Sequence, residues 1–247
     1  MHRFFVDPKC FSGNRIILPA DTAHQIRNVL RLRVDAPILV LDNSGAEFEV
    51  VLRQVDRQQV VGEAVAKRAS PNEPTVQLTL YQALMKRDKF EWVLQKGTEI
   101  GVSEFVPIVT QRSLVQDIDI KANKQARWHK IITEAAEQSR RGRIPELHPP
   151  QTLAQALENH PAHPGLIAWE EETSLNLRGA LVGGERPSHI SLFIGPEGGF
   201  AAEEVEAAQA AGIRAITLGK RILRAETAAL VASALVLHEL DIIQTGN

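Results

Sequence analysis

The sequence predicts an α/β protein in which a mostly parallel sheet covered by helices follows a small β-rich N-terminal domain. Two observations lead to this fold class. From residue 76 onward, short apolar segments alternate with helical segments, a rhythm typical of parallel sheets with helices on both faces. The first seventy residues instead contain several short apolar or alternating segments separated by turns, with a single helix, which suggests a small β-barrel.

The N-terminal strands are predicted from apolar runs and from period-two alternation. They lie at residues 15–19, 37–42, 47–55 and 58–66. The predicted helix between the first two strands has Asp21 or Thr22 as its cap. Its expected apolar face consists of Ile26, Val29 and Leu30.

The segment KRASPNEPT, residues 67–75, has two prolines and almost no apolar side chains. It is therefore the expected linker, and we place a domain boundary there. The predicted domains are residues 1–70 and residues 75–247.

The C-terminal domain is predicted from alternating strands and helices. The strands are expected at 76–84, 105–109, 166–170, 190–194 and 215–218, and the helices at 88–101, 124–141, 201–211 and 226–240. Gly101 and Gly212 are expected to end their helices, because glycine is favoured at that position.

The last predicted helix is apolar on more than one face. One stripe holds Ala228, Val231, Leu235 and His238, and further apolar residues are Leu230, Ala234 and Leu237. Such a helix is buried, either beneath the sheet or against a second copy of the chain. Its many small residues permit close approach of another helix, so a homodimer is plausible from the sequence.

Composition excludes several functional classes. The single cysteine, Cys10, rules out an internal disulfide and a cysteine-based zinc site, and the eight histidines lack metal-ligand spacing, so no metal is expected. No apolar run reaches the roughly 18 residues of a membrane span, and the N-terminus lacks a signal-peptide pattern. We therefore expect a cytoplasmic protein without a membrane partner.

The stretch IGPEGGF, residues 194–200, joins a predicted strand to a predicted helix. Glycines in such a loop permit positive φ angles and close approach of a ligand. A phosphate-binding loop would carry Lys and Ser or Thr, whereas this loop carries Glu197. It therefore suits a neutral or cationic ligand better than a phosphate. The alternative is a tight turn that needs glycine for its shape alone.

A second stretch, TLGKRILRAET at residues 217–227, has the same layout of strand, glycine turn and helix. Two such loops at the carboxyl edge of one parallel sheet form a ligand site in many α/β proteins. The apolar Ile222 and Leu223 indicate a flat apolar ligand surface, such as an adenine. Arg224 and Glu226 flank the helix start, where a surface ion pair is the alternative interpretation.

Five motifs together resemble the RsmE family of ribosomal RNA methyltransferases, within the SPOUT superfamily. The resemblance runs nearly the full length of the chain. Its motifs are MHRFF at 1–5, HQIRNVLRLRVDAPILVLD at 24–42, LQKGTEIGVSEFVPIVTQRS at 94–113, ITEAAEQSRRGRIPEL at 132–147, and the pair GPEGGF at 195–200 with LGKRILRAETA at 218–228. Lys220 departs from the pattern, because relatives commonly have a proline there.

The resemblance implies a trefoil-knotted sheet that binds S-adenosylmethionine, a PUA-like β-barrel before it, and a homodimer. It also implies methylation of N3 of a uridine in 16S rRNA of the small ribosomal subunit. The residues that it assigns to the cofactor are Ile194, Gly195, Pro196, Glu197, Gly198, Gly199, Leu218, Gly219, Ile222, Leu223 and Thr227.

Methylation at N3 requires loss of a proton from a weak nucleophile. A base or a donor that stabilises the uracil anion is therefore expected in the site. Arg224 is the expected donor, and Glu226 or Glu197 the expected base. Each of the three could equally anchor a loop.

RNA affinity is expected to come from arginines that contact phosphates. The candidates are Arg3, Arg15, Arg27, Arg31, Arg33, Arg140, Arg141 and Arg143. Two alternatives remain: a superfamily member that acts on transfer RNA or on a ribose 2′-hydroxyl, and a ribosome assembly factor without catalysis.

Overall fold

The computed structural model describes residues 1–86, 88–181 and 186–245. The chain divides into two compact units. The first holds residues 1–73 and 136–144, and the second holds residues 74–135 and 145–247. The division between Glu73 and Pro74 falls inside the expected linker. The assignment of 136–144 to the first unit differs from the contiguous domains predicted from the sequence.

The described part of the first unit contains one six-stranded sheet in the order β1-β4-β5-β6-β3-β2. Its strands are β1 (Arg3–Phe5), β2 (Phe11–Ser12), β3 (Arg15–Ile17), β4 (Pro37–Leu41), β5 (Ala46–Val55) and β6 (Val60–Ala69). β1 pairs with β4 in parallel and all other pairs are antiparallel. The sheet is mixed and no described pairing closes it, so the small barrel predicted from the sequence is not confirmed directly and stays a prediction.

The helix of the first unit begins earlier than predicted. α1 (Ala20–His24) follows Pro19, whose position has no side-chain cap, and continues into a wider turn over Gln25–Val29. The predicted cap at Asp21 or Thr22 is therefore wrong. Ile26 is fully buried, but Val29 is 65% exposed, because the wider turn shifts it off the apolar face.

The described residues of the second unit form a seven-stranded sheet in which every pairing is parallel. Its strands are β7 (Gln77–Ala83), β8 (Glu104–Val109), β9 (Glu146–Leu147), β10 (Gln151–Thr152), β11 (Gly165–Ala168), β12 (His189–Ile194) and β13 (Arg214–Ile216). The order is β10-β8-β7-β12-β11-β13, with β9 also paired to β8. The predicted parallel α/β sheet is confirmed.

The helices of the second unit agree with the predicted ones to within a few residues, apart from two short additions. They are α2 (Lys89–Ile100), α3 (Ala122–Gln138), α4 (Leu153–Glu158), α5 (Leu177–Leu181), α6 (Ala202–Ala210) and α7 (Ala225–Thr245). The short α4 and α5 were not predicted. The last residues of α3 belong to the first unit. Gly101 follows α2 with φ of 121°, as expected of a glycine that ends a helix.

The centre of the sheet fixes the geometry of one edge. β12 lies between β7 and β11, and the rings of Tyr81 and Phe193 stack with centroids 4.1 Å apart. Because β11, β12 and β13 are neighbours and parallel, the loops that follow Ala168, Ile194 and Ile216 all leave the same edge. Across the described ranges, none of the helices combines the length and apolar character that crossing a bilayer requires.

Candidate active site

The loops that follow β11, β12 and β13 border a cavity of about 840 Å³. Its lining comes from residues 168–170, 172–173, 194–199 and 217–225, together with Ala228 and Lys89. The cavity therefore lies at the carboxyl edge of the parallel sheet, where open α/β sheets bind ligands. Its volume falls in the upper part of the range for small-molecule pockets, roughly 300–1,000 Å³.

The structure brings most of the predicted site residues to this cavity. Its lining includes Ile194, Gly195, Pro196, Glu197, Gly198, Gly199, Leu218, Gly219, Ile222, Leu223 and Arg224. Thr227 and Glu226 belong to the first turn of α7 but not to the lining. The two glycine loops are not direct neighbours, because β11 separates β12 from β13.

The loop after β11 was missed by the sequence analysis. It contributes Trp169, Glu170, Glu172 and Thr173 to the lining. The signal was present in the sequence, because a predicted parallel strand ends here in WEEE, at the same edge as the glycine loops. Lys89 was also missed, and no local pattern marks it.

The glycines of the loop after β12 have close neighbours on the side where a Cβ would project. A Cβ at Gly195 would lie 3.2 Å from the backbone of Gly199, and a Cβ at Gly199 would lie 2.2 Å from Glu170 Oε1. Gly199 and Gly219 also have φ angles of 68° and 109°, a conformation that side chains disfavour. The cavity wall therefore depends on bare backbone at these positions.

Neighbouring elements hold this loop in place. Arg112 donates a hydrogen bond from Nη1 to the carbonyl oxygen of Gly198 at 3.1 Å. Glu204 accepts hydrogen bonds from the backbone N–H groups of Ala201 (2.9 Å) and Gln111 (2.7 Å). The start of α6 is thereby tied to the segment that follows β8.

Lys89 joins the two carboxylates that were predicted as candidate bases. Its Nζ lies 3.3 Å from Glu197 Oε1 and 3.4 Å from Glu226 Oε2. The Glu197 side chain is 25% exposed and that of Glu226 is 14% exposed. Glu226 Oε2 is buried and has no other hydrogen-bond partner among the described residues. Lys89 and Glu197 therefore meet on the cavity surface, with Glu226 behind them.

The eight arginines predicted to contact RNA all belong to the first unit. Arg15, Arg31, Arg33, Arg140 and Arg143 are exposed, whereas Arg27 is half-buried and donates to the carbonyl oxygen of Asp56. Arg143 donates from Nη2 to the carbonyl oxygen of Ser44 at 2.7 Å, and its guanidinium otherwise lies at the surface.

Arg3 and Arg141 are instead buried in ion pairs. Arg3 Nη2 lies 2.6 Å from Glu47 Oε1, and Arg141 Nη2 lies 2.8 Å from Glu73 Oε2. Burial acts to raise the pKa of Glu47, but hydrogen bonds from Arg3 and Ser70 outweigh it and lower that pKa. Because a phosphate contact needs an exposed guanidinium, these two arginines are better explained as supports of the unit's interior.

No cluster of three or more His, Cys, Asp or Glu residues in the described part of the chain has the arrangement of a metal site.

A parallel sheet with glycine loops around one cavity at its carboxyl edge is the arrangement of a ligand-binding α/β protein. Residues 71–237 match the RNA methyltransferase domain family, which makes the chain a methyltransferase of this class. The chain is 35% identical to Ribosomal RNA small subunit methyltransferase E of Synechocystis sp., over 94% of this chain and 76% of that protein. It is 30% identical to the Bacillus subtilis protein of the same name, over 99% of both.

A solved structure supports the same family assignment. Ribosomal RNA small subunit methyltransferase E from Neisseria gonorrhoeae, bound to S-adenosyl methionine, superposes with a TM-score of 0.85 at 32% identity. The match covers 96% of this chain and 97% of that one. The chain belongs to the RsmE family, and the resemblance found in its sequence is confirmed.

Proposed function

We propose that this protein transfers a methyl group from S-adenosylmethionine to ribosomal RNA of the small subunit. The observation that carries the proposal is the cavity at residues 194–199 and 217–225, in a chain whose Neisseria relative was crystallised with this cofactor. The fit is chemical as well. The lining combines apolar Ile194, Leu218 and Leu223, suited to an adenine, with the carboxylates of Glu170, Glu172 and Glu197, suited to a cation.

The residues that would hold the cofactor line the cavity in the loops after β12 and β13. These are Ile194, Gly195, Leu218, Gly219 and Leu223, with Pro196 to Gly199 completing the loop. When bound, the cofactor supplies an electrophilic methyl group on a sulfonium. The protein's contribution is then to orient the acceptor, to exclude water and to manage one proton.

The finer proposal is that the acceptor is N3 of a uridine in 16S rRNA. That nitrogen carries a proton, so the site must remove it and stabilise the negative charge left on the uracil carbonyl oxygens. Arg224 lines the cavity, and its side chain is exposed, so it can donate hydrogen bonds to those oxygens. We assign it the role of anion stabiliser.

Glu197 is the better candidate for the proton acceptor, because it lines the cavity whereas Glu226 does not. Lys89, between the two carboxylates, is suited to hold Glu197 in place and to offset its charge. Glu226 then serves as the anchor of Lys89. This arrangement gives Glu197, Lys89 and Glu226 separate roles.

The N-terminal unit is the proposed RNA-binding module. Its sheet has register shifts between Glu49 and Val50 and between Leu52 and Gln54, which add twist and curl the two long strands. We infer a PUA-like, incompletely closed barrel, with Arg15, Arg27, Arg31, Arg33, Arg140 and Arg143 as the phosphate contacts. The trefoil knot in the second unit, a rare feature, is likewise inferred from the family.

A homodimer through α7 is part of the same proposal. Val231 and Leu235 are 38% and 42% exposed, and Ala234 and His238 on the same side are also exposed. An apolar stripe on the surface of a helix that is otherwise buried favours a partner helix. The enzyme is proposed to act in the cytoplasm, where small ribosomal subunits are assembled.

The test is methyl transfer from labelled cofactor to small subunits isolated from a strain that lacks the gene. We expect label in 16S rRNA, located at one uridine by nucleoside mass spectrometry, and none in transfer RNA or large subunits. Label in transfer RNA or on a ribose would favour the alternative substrate. Cofactor binding by calorimetry without transfer to any RNA would favour a non-catalytic assembly factor.

A further inference from the structure

The segment Lys220–Arg224, here called the rim segment, borders the cavity between β13 and α7. All of its residues line the cavity. Four of them, Lys220, Arg221, Ile222 and Arg224, are exposed, and Leu223 alone is half-buried. The segment thus has one half-buried side chain and four exposed side chains at the border of the cavity.

The charges of the rim segment are not neutralised within the protein. Among the described residues, the side chains of Lys220, Arg221 and Arg224 form no ion pair or hydrogen bond. Lys89, the other cation of the lining, is by contrast held by two carboxylates. Three exposed cations within five residues attract an anion such as a phosphate backbone.

Ile222 is unusually exposed for an apolar side chain. It is 88% exposed, more than any other large apolar side chain in the described part of the chain, where the next, Val29, is 65% exposed. A side chain so exposed contributes little wall to a small-molecule pocket. Its position between Arg221 and Arg224 instead suits an apolar contact made inside a polyanionic partner.

These observations bear on how the enzyme would reach its target base in the RNA. An enzyme that modifies a base must take it out of its stack, which leaves a gap in the RNA. Nucleic-acid-binding proteins frequently insert apolar side chains, isoleucine among them, between neighbouring bases, beside Arg and Lys contacts to the nucleic acid. The rim segment places an exposed isoleucine and its flanking cations at the mouth of the cavity that would receive the extruded base.

We propose that the rim segment binds the RNA strand on both sides of the target nucleotide. Lys220 and Arg221 contact the neighbouring phosphates, and Ile222 packs against the bases exposed when the target is extruded. This inference rests on the proposed methyltransferase function. It assigns Ile222 to the RNA rather than to the cofactor, with Leu223 as the apolar residue that faces the cofactor.

The test separates RNA binding from cofactor binding and from turnover. The purified protein, in the oligomeric state that it has in solution, is assayed with small ribosomal subunits at saturating cofactor. Its Kd for the cofactor is measured separately by calorimetry. For Lys220→Ala/Arg221→Ala we expect KM for subunits to rise at least tenfold with kcat and cofactor Kd within twofold. The slope of log Kd for subunits against log salt should fall by about 1.5, because two phosphate contacts are lost.

For Ile222→Ala we expect kcat/KM to fall at least tenfold at unchanged cofactor Kd. A fluorescent base analogue beside the target uridine should report less extrusion. The matched control is Leu114→Ala, which truncates a side chain 57% exposed and outside the cavity lining. It should leave both parameters unchanged.

Three outcomes would overturn the proposal. A tenfold loss of cofactor affinity in Ile222→Ala, with subunit binding intact, would make Ile222 part of the cofactor wall. A halved mass of Ile222→Ala by light scattering would mean that a second copy of the chain covers Ile222 in the wild-type protein. Unchanged binding of small ribosomal subunits by Lys220→Ala/Arg221→Ala would exclude the proposed phosphate contacts. Subunit binding is measured by filter retention on all variants, so it decides the matter even if the wild-type protein transfers no methyl group.

Discussion

Lys89 Nζ lies 3.4 Å from Glu226 Oε2, which ties the first residue of α2 to the first turn of α7 at the edge of the cavity. The same nitrogen lies 3.3 Å from Glu197 Oε1. One ammonium thus bridges a carboxylate on the loop after β12 and a carboxylate on the last helix. Without it, these two carboxylates would lie at the edge of the cavity without the cation that pairs with both.

Replacing Lys89 with Met is expected to lower kcat/KM about 100-fold, because an oriented charge at the reacting site is lost. Lys89 is the ion-pair partner of the buried Glu226 Oε2, so its loss should also lower the melting temperature. Steady-state kinetics and thermal denaturation measure the two effects. Lys89→Arg should recover part of the activity. The matched control is Lys96→Met, which removes an α2 ion pair with Glu99. Activity of Lys89→Met within twofold of wild type would exclude this role.

Arg224→Ala is expected to abolish measurable turnover while the protein stays folded. The exposed Arg224 side chain makes no described ion pair, so its loss costs little stability, but the uracil anion would lose its proposed donor. Single-turnover methyl transfer and cofactor calorimetry separate chemistry from binding. Arg178→Ala, on α5, removes an exposed arginine elsewhere and should be active. Wild-type kcat in Arg224→Ala would remove this residue from the mechanism.

Gly199→Ala is expected to weaken cofactor binding at least tenfold. The new Cβ would lie 2.2 Å from Glu170 Oε1, the end of an exposed side chain, so this carboxylate must turn away from the loop. The φ of 68° at this position also strains any side chain. Gly212→Ala is the matched control, because Gly212 also has a positive φ of 84° but has open space at its Cβ. It should cost about 1–2 kcal/mol of stability and leave affinity unchanged.

Truncation of the obstructing carboxylate gives a further check on Gly199. Gly199→Ala should cost less cofactor affinity, measured by calorimetry, in the Glu170→Ala background than in the wild-type background, since the atoms that clash are absent there. If both glycine variants lose affinity equally, left-handed backbone strain explains the effect and the contact with Glu170 does not.

Local sequence signals were sufficient for most of the sheet and for two of the three cavity loops. Strand, glycine turn and helix follow each other directly at residues 190–211 and 215–240, so nearby residues determine these loops. α5 spans five residues and β9 and β10 two each, which is too short for a periodic pattern. The two strands form because β8 pairs with both of them, and α5 packs against α7 and β13.

Long-range contacts explain what the sequence could not predict. Residues 136–144 belong to the N-terminal unit because Glu73 accepts hydrogen bonds from Arg141 and from the backbone of Gly142, 69 residues away. A Cβ at Gly142 would also lie 2.2 Å from Ser70 Cβ. Lys89 meets Glu197 across 108 residues. Charge pairs of this kind leave no periodic trace in a single sequence.

Leu235→Lys is expected to convert the proposed dimer into a monomer. Leu235 is 42% exposed on the apolar stripe of α7, and a charge there would have to be desolvated in a helix–helix contact. Light scattering at micromolar concentration measures the mass. Val34→Lys places the same charge on an apolar side chain 49% exposed in the first unit and should not change the mass. A dimer that persists in Leu235→Lys would place the interface elsewhere.

The pair formed by His148 and Glu104 is expected to make stability depend on pH. His148 Nε2 lies 3.0 Å from Glu104 Oε2, and this hydrogen bond raises the pKa of His148 and lowers that of Glu104. The stabilisation linked to His148 is fully present below its unfolded pKa of about 6.5 and is lost as pH rises through the higher folded value. Urea unfolding should therefore find His148→Gln clearly less stable than wild type at about pH 5.5, where Glu104 is ionised, and nearly equal to it at about pH 9.

His129→Gln changes an exposed histidine on α3 and should show no such difference between the two pH values. A stability gap for His148→Gln that is the same at both pH values, or larger at the higher one, would contradict the linkage.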